Sequence, residues 1–270
     1  MSDLAIALGN RLGRSGRAVR ILRPAYSAWL NAAYGRRGVP WRLNGEPLRI
    51  HPAARHLIPQ ENERPLFEYL RAGIRPGDLV FDIGAFLGTY ALFEARWSGP
   101  HGRVVAFEPS PFSFSMLGRH LAMNGLGPDR VEARHAAVGA SVHRRMLVVF
   151  ENEPYRNHLA DPAASGQVIG VHVLSVDAVC QEIGRVPDWI RMDVQGLEFE
   201  VLEGARETIE SARRWIKIVV ETHPEQWADL GITAAEAHDR FAALGLRARP
   251  IASAEPLFTQ GGHVILEPMP

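Results

Sequence analysis

Cysteine, lysine and long apolar runs are nearly missing from this chain of 270 residues, which holds one cysteine, Cys180, and one lysine, Lys217. A single thiol excludes an intramolecular disulfide framework and a multi-cysteine zinc site, and it fits a reducing compartment. No stretch approaches the ~18 apolar residues of a membrane-crossing helix. The apolar segment from Leu4 to Leu8 is too short for a secretory leader, and its arginines follow rather than precede it. The expected location is cytoplasmic. Net charge is missing too: 30 basic residues balance 30 acidic ones, which disfavours a chain that coats nucleic acid or an anionic membrane along its whole length. The balance hides a division. Residues 1–42 hold eight arginines against one acid, Asp3, a net of +7, and the other 228 residues hold 22 basic and 29 acidic groups, a net of −7.

What is present is ordinary globular material, 46% hydrophobic and 22% charged, enough for one core of catalytic size with an appendage. Residues 1–60 read as a basic N-terminal arm or cap. Leu4, Leu8 and Leu12 predict helix, with an interruption near Pro24, and residues 41–60 read as loop with short strands. Arginines 11, 14, 17, 20 and 23 step around such a helix without forming one stripe, which suits a solvated arm or lid, or else a peripheral membrane or partner contact. Residues 61–270 alternate buried strands with helices. Strands are predicted over 79–83, 103–108, 131–138, 188–194, 215–221, 246–251 and 263–267, and helices over 61–72, 84–97, 112–124, 197–213 and 233–244. Segments 146–150 and 167–173 read as an inserted strand pair, whose loop carries Asn157 and His158 over the site. This alternation means parallel βαβ units in a doubly wound α/β sheet.

The strongest local signal is Val80-Phe-Asp-Ile-Gly-Ala-Phe-Leu-Gly-Thr-Tyr90. A buried strand ends in Asp82, and Gly84 and Gly88 bracket the turn into a helix, at the strand edge where open α/β sheets bind ligands. Glu108 ends the next strand, where a carboxylate can accept both ribose hydroxyls of an adenosine. A dinucleotide fingerprint requires a glycine where Phe86 stands. The Tyr-x-x-x-Lys pair of short-chain dehydrogenases is missing, because Arg213 stands four residues before Lys217. Acids at the strand ends (Asp82, Glu108, Asp193) suit the cationic S-adenosylmethionine and would repel a pyrophosphate.

At this point the chain resembles the FkbM-type methyltransferases, a branch of the class I S-adenosylmethionine-dependent enzymes. The resemblance rests on residues 80–90, Val105-Ala-Phe-Glu-Pro-Ser-Pro111, Ala136-Ala-Val-Gly139, Ile190-Arg-Met-Asp-Val-Gln-Gly-Leu-Glu198, Val201-Leu-Glu-Gly-Ala205 and Val220-Glu-Thr-His-Pro224. It implies a Rossmann-like sheet of seven strands with the last antiparallel, and O-methylation of a small-molecule or glycan hydroxyl, while the N-terminal helical appendage carries little of it. Asp82, Gly84, Phe86, Gly88 and Glu108 match cofactor positions, and Ala136 and Ala137 match the turn that passes the adenine. Two residues depart from the family pattern: Phe86 replaces a frequent Asn, and Gln195 replaces a Glu and brings no charge.

Methyl transfer to an alcohol needs the hydroxyl proton removed, by a base or by a metal that lowers its pKa. Asp193, Glu221 and His223 end adjacent strands and are the candidate catalytic residues. His223 serves as general base, or alternatively the three hold a divalent ion such as Mg2+. An acidic body lacks the basic groove that nucleic-acid phosphates need, so nucleic acid is not an expected partner. Two other readings stay open, a cofactor-binding but inactive interaction domain and a nicotinamide-dependent oxidoreductase.

Overall fold

Asn44 and Gly45, with φ of 51° and 89°, supply the two left-handed residues of a tight hairpin turn. They join β1 (Val39–Leu43) to β2 (Glu46–Ile50), so the short strands expected in this segment form an antiparallel ribbon in register from Val39↔Ile50 to Leu43↔Glu46. Before it, α1 (Arg17–Tyr34) runs on through Pro24, where an interruption was expected. These elements belong to the first of two compact units, residues 1–60 and 61–270. The computed structural model describes residues 17–149, 158–160, 167–252 and 257–269. Leu4, Leu8, Leu12 and Asn157 lie outside the described residues. Among those described, no helix is long and apolar enough to cross a membrane.

The second unit begins with α2 (Arg64–Gly73) and continues through β3 (Leu79–Ile83), α3 (Thr89–Trp97), β4 (Arg103–Phe107), α4 (Pro111–Met123) and β5 (Val131–Arg134). The chain then crosses into a second sheet, β6 (Ala137–Val138), β7 (His143–Val149), β8 (His158–Ala160) and β9 (Gln167–Leu174). It returns through α5 (Val176–Ile183), β10 (Trp189–Met192), α6 (Glu198–Glu203), α7 (Arg206–Ala212), β11 (Lys217–Thr222), α8 (Pro224–Asp229), α9 (Ala234–Ala243), β12 (Leu246–Pro250) and β13 (Gly262–Pro268). The main sheet has the order β12-β13-β11-β10-β3-β4-β5, and β13 runs antiparallel to both of its neighbours. This is the seven-stranded Rossmann-like sheet of the class I methyltransferases. The expected inserted pair is β7 and β9, which run antiparallel, and β8 joins them as a third strand.

Three local expectations are corrected. The strand over 131–138 is two strands in different sheets: β5 pairs with β4, and β6 pairs with β9 after a turn closed by Ala136 N–H to Arg134 C=O. The helix over 197–213 breaks at Gly204, where a Cβ would stand 2.1 Å from the Gly139 carbonyl oxygen. The helix expected from residue 84 starts at Thr89, because residues 84–88 form the turn itself.

Every residue of β3 is buried, which marks it as the centre of the sheet. The core around it includes Phe81 and Phe107, edge to face at 5.7 Å, with Ile190, Val220, Leu202 and Trp227. At the opposite end of the sheet from the glycine turn, the Lys217 ammonium lies 4.6 Å over the Trp189 ring.

Backbone at the glycine turn is tightly constrained. Gly84 has φ of 79°, and a Cβ there would stand 1.9 Å from the Asp193 carbonyl oxygen. Phe86 adopts φ of 50°, a left-handed conformation that suits asparagine better than phenylalanine. Gly84→Ala should therefore cost about 3 kcal/mol or more, combining a wrong φ with a backbone clash, read as a lowered urea midpoint. Phe86→Asn should instead gain about 1 kcal/mol in the same assay, by relief of the left-handed strain.

Candidate active site

The carboxyl ends of β3, β4, β10 and β11 lie side by side, and they bring the sequence-selected residues to one edge of the sheet. β3 and β10 are parallel with Asp82 opposite Arg191. Arg191 Nη1 donates to Asp82 Oδ1 at 2.9 Å, with side-chain exposures of 6% and 0%. Burial pushes the Asp82 carboxyl above its ordinary range, and the guanidinium opposes this by charge and hydrogen bond. Asp82 is thus closed off beneath the edge. Here the carboxylate expected to meet a cofactor is paired with Arg191. That guanidinium stacks 4.2 Å over the Tyr90 ring and reaches 3.7 Å from Asp193 Oδ2. Glu94 of α3 is buried nearby, and burial together with the Asp82 charge drives its carboxyl well above the usual range.

Glu108 follows β4 and ties the glycine turn to that strand. Its Oε2 accepts the Phe86 N–H at 2.9 Å, and its Oε1 accepts the Ser110 N–H at 2.7 Å. Burial pushes it up to about 8, against the two backbone bonds that pull it down. Gly88, with φ of 78°, caps α3 and packs on Leu117. Ala136 and Ala137 are buried where the chain passes from β5 to β6.

Asp193 follows β10, Glu221 lies in β11 and His223 follows it. His223 Nε2 stands 3.5 Å from Asp193 Oδ1 and 3.8 Å from Glu221 Oε1, so the three expected catalytic residues do meet. Gln195, with φ of 54°, inserts its amide between two of them. Its Nε2 donates to Asp193 Oδ1 at 3.0 Å and lies 2.9 Å from His223 Nε2. Behind the imidazole, the fully buried Glu198 collects three bonds. His223 Nδ1 donates to Oε1 at 2.7 Å, Gly196 N–H to Oε1 at 3.0 Å, and Trp227 Nε1 to Oε2 at 2.6 Å. This network fixes the tautomer, with the proton on Nδ1 and the Nε2 lone pair facing the strand ends.

Electrostatics separate the three acids. Burial and the Glu221 charge push Asp193 up to about 7. Burial would raise Glu221 as well, but His263, His223 and Arg191 outweigh it and hold that carboxylate at about 2. His223 is raised: burial lowers it, and the bond and charge of Glu198 with the charges of Asp193 and Glu221 prevail. A carboxyl near 7 beside an elevated histidine can pass a proton at neutral pH.

For the ion considered at Asp193, Glu221 and His223, the ligand atoms lie within 4.8 Å of one another. However, Gln195 Nε2 already engages lone pairs of both Asp193 and His223. Sequence reasoning missed Glu198, Arg191, Tyr90, Glu63 and His263 as functional neighbours. Glu198 carried a usable signal, two residues past Gly196 and followed by an apolar helix. Glu63 and His263 carried none, because strand register and the entry into α2 alone bring them to Glu221.

The model of the methyltransferase FkbM domain matches residues 82–246. The chain is 28% identical over 193 residues to the 31-O-demethyl-FK506 methyltransferase FkbM of Streptomyces tacrolimicus, covering 66% of this chain and 72% of that protein. It is 24% identical over 163 residues to the hexuronic acid methyltransferase AglP of Haloferax volcanii, covering 60% and 62%. Among solved structures, the methyltransferase FkbM of Methylobacillus flagellatus aligns with a TM-score of 0.46 at 16% identity, over 74% of this chain and 50% of that one. The chain belongs to the FkbM-domain family of S-adenosylmethionine-dependent methyltransferases.

Proposed function

We propose that the enzyme methylates a hydroxyl oxygen of a sugar, glycan or hydroxylated secondary metabolite. The observation that carries this reading is the imidazole of His223, its Nδ1 proton anchored on Glu198 and its Nε2 directed at the strand ends beside Asp193. The names of two relatives point the same way, one a 31-O-demethyl-FK506 methyltransferase and one a hexuronic acid methyltransferase.

The residues at the edge fit S-adenosylmethionine. Glu108 is a buried carboxyl within hydrogen-bond reach of the turn backbone, placed to accept ribose hydroxyls; the Gly84 to Gly88 turn lets the backbone approach closely, and Ala136 and Ala137 are small residues at the passage from β5 to β6. Asp193 and Glu221 supply negative charge for a cationic ligand. When bound, the cofactor supplies an electrophilic methyl group on sulfur. On acceptor binding the hydroxyl displaces the Gln195 amide from His223 Nε2, which takes the hydroxyl proton; Asp193 and Glu221 stabilise the imidazolium that results, and Glu198 keeps the ring from turning. Gln195 donates to Asp193 and His223 and so holds both in register.

Calorimetric titration with S-adenosylhomocysteine tests the cofactor half, and a lack of binding would overturn it. Ribose hydroxyls donate to an ionised Glu108, so binding at neutral pH should release protons, read as a heat that varies with the ionisation enthalpy of the buffer. In the free protein the sign runs the other way. Folding holds the Glu108 carboxyl at about 8, above its ordinary 4.5, so its contribution to stability is full at low pH and is lost as pH rises toward 8. Glu108→Gln should therefore raise the Tm at pH 8, leave it nearly unchanged at pH 4, and weaken S-adenosylhomocysteine binding.

For the chemical half, Glu198→Gln removes the charge that raises His223. With a uronic-acid glycoside or a hydroxylated macrolide as acceptor, the acidic limb of the kcat profile should move to lower pH. The maximal kcat should fall about 100-fold, with S-adenosylhomocysteine affinity retained. An unmoved profile would remove His223 as the base.

A further inference from the structure

A second cluster shares Glu221 but looks away from His223. β11 and β13 are antiparallel with Glu221 opposite His263, and Thr222 Oγ1 donates to the Gly262 carbonyl to close the same end of the ladder. Glu63, at the N-terminal end of α2, completes the group. His263 Nε2 stands 3.4 Å from Glu221 Oε2 and 3.9 Å from Glu63 Oε2. From these residues we propose that Glu63, Glu221 and His263 bind one divalent first-row transition-metal ion of the Zn2+, Co2+ or Mn2+ type.

Three observations support the assignment. The ligand atoms of the three residues all lie within 4.8 Å of one another. Two ligands held tetrahedrally at ~2.1 Å from a zinc-like ion are about 3.4 Å apart, which is the separation of His263 from Glu221. Secondly, His263 Nε2 is sealed from solvent with carboxylates on two sides, and it stands no closer than 3.4 Å to Glu221 Oε2. Distances of 3.4 and 3.9 Å are long for hydrogen bonds, and the shorter is ordinary for atoms that share an ion. Thirdly, Glu63 is already oriented: Tyr90 Oη donates to its Oε2 at 2.7 Å, and the Tyr90 ring is held under Arg191. Outer hydrogen bonds of this kind fix carboxylate ligands in metal sites.

The neighbouring trio of Asp193, Glu221 and His223 is the weaker candidate, because Gln195 Nε2 engages both Asp193 and His223 there. One imidazole nitrogen with two carboxylates favours transition ions over Mg2+ or Ca2+, which prefer all-oxygen shells, and water fills the remaining positions. The carboxylate of Glu221 thus divides its work, with Oε1 toward the acid–base pair and Oε2 toward the ion.

The binding claim does not depend on the acceptor chemistry, and its test needs no turnover. Full-length protein stripped with chelator is titrated with Zn2+ by calorimetry and with Co2+ by electronic absorption. S-adenosylhomocysteine binding is read on the same sample as a check of folding and of the cofactor reading. The expected result is one ion per chain, with visible Co2+ bands that report imidazole ligation. His263→Gln and Glu63→Gln should each weaken binding by at least about tenfold, while His223→Ala leaves it within about twofold. No binding at millimolar ion would overturn the proposal, as would binding that survives both His263→Gln and Glu63→Gln. Binding lost in His223→Ala but kept in His263→Gln would also overturn it, and would place the ion on the Asp193 side.

Discussion

One buried cation organises the centre of this molecule. Arg191 sits in a parallel strand at the middle of the sheet, where a guanidinium is stable only if its charge is matched. Asp82 meets it across the β3–β10 seam, and the other contacts follow from that pairing. The Tyr90 ring lies against the guanidinium, its phenol reaches Glu63, and Asp193 stands within range of the same charge. Without the arginine, Asp82 and Glu94 would face each other in the core with no cation between them. The most buried polar layer therefore acts as a foundation for the strand-end side chains above it.

Above that layer, similar groups are driven to different states. Glu221 is an enduring anion because two imidazoles and a guanidinium surround it, whereas Asp193 and Glu108, with less compensation, are held near neutrality by burial. Such separation gives one edge of a sheet a fixed negative charge, a proton-exchanging group and a carboxyl whose ionisation is left for a ligand to complete.

Much of the architecture was legible in the sequence, because buried parallel strands read as short apolar runs and their spacing is regular. Glu108, Asp193, Glu221 and His223 were legible for the same reason: each ends a recognisable strand. Asp82 was read as facing a ligand because the pattern locates a strand end without saying which way a side chain turns; only its register with Arg191 shows it looking inward. Phe86 and Gln195 were visible as departures from a family pattern, yet their shared left-handed backbone was not, since neither residue type advertises that conformation. Asn44-Gly45 did advertise it, and the hairpin was available to a stricter reading of that dipeptide. His263 lay beyond local reasoning altogether, because its neighbour Glu221 is 42 residues away in the chain and adjacent only through strand pairing.

The stack of Lys217 on Trp189 has a practical side. It is the sole lysine of the chain and opens β11 at the end remote from Glu221 and His223. Amine-directed reagents therefore find one side-chain target besides the chain's own N-terminus. A fluorophore or a surface tether attached there leaves the opposite edge of the sheet unhindered, and the adjacent indole provides a ready quencher or energy donor for following events at that edge from behind.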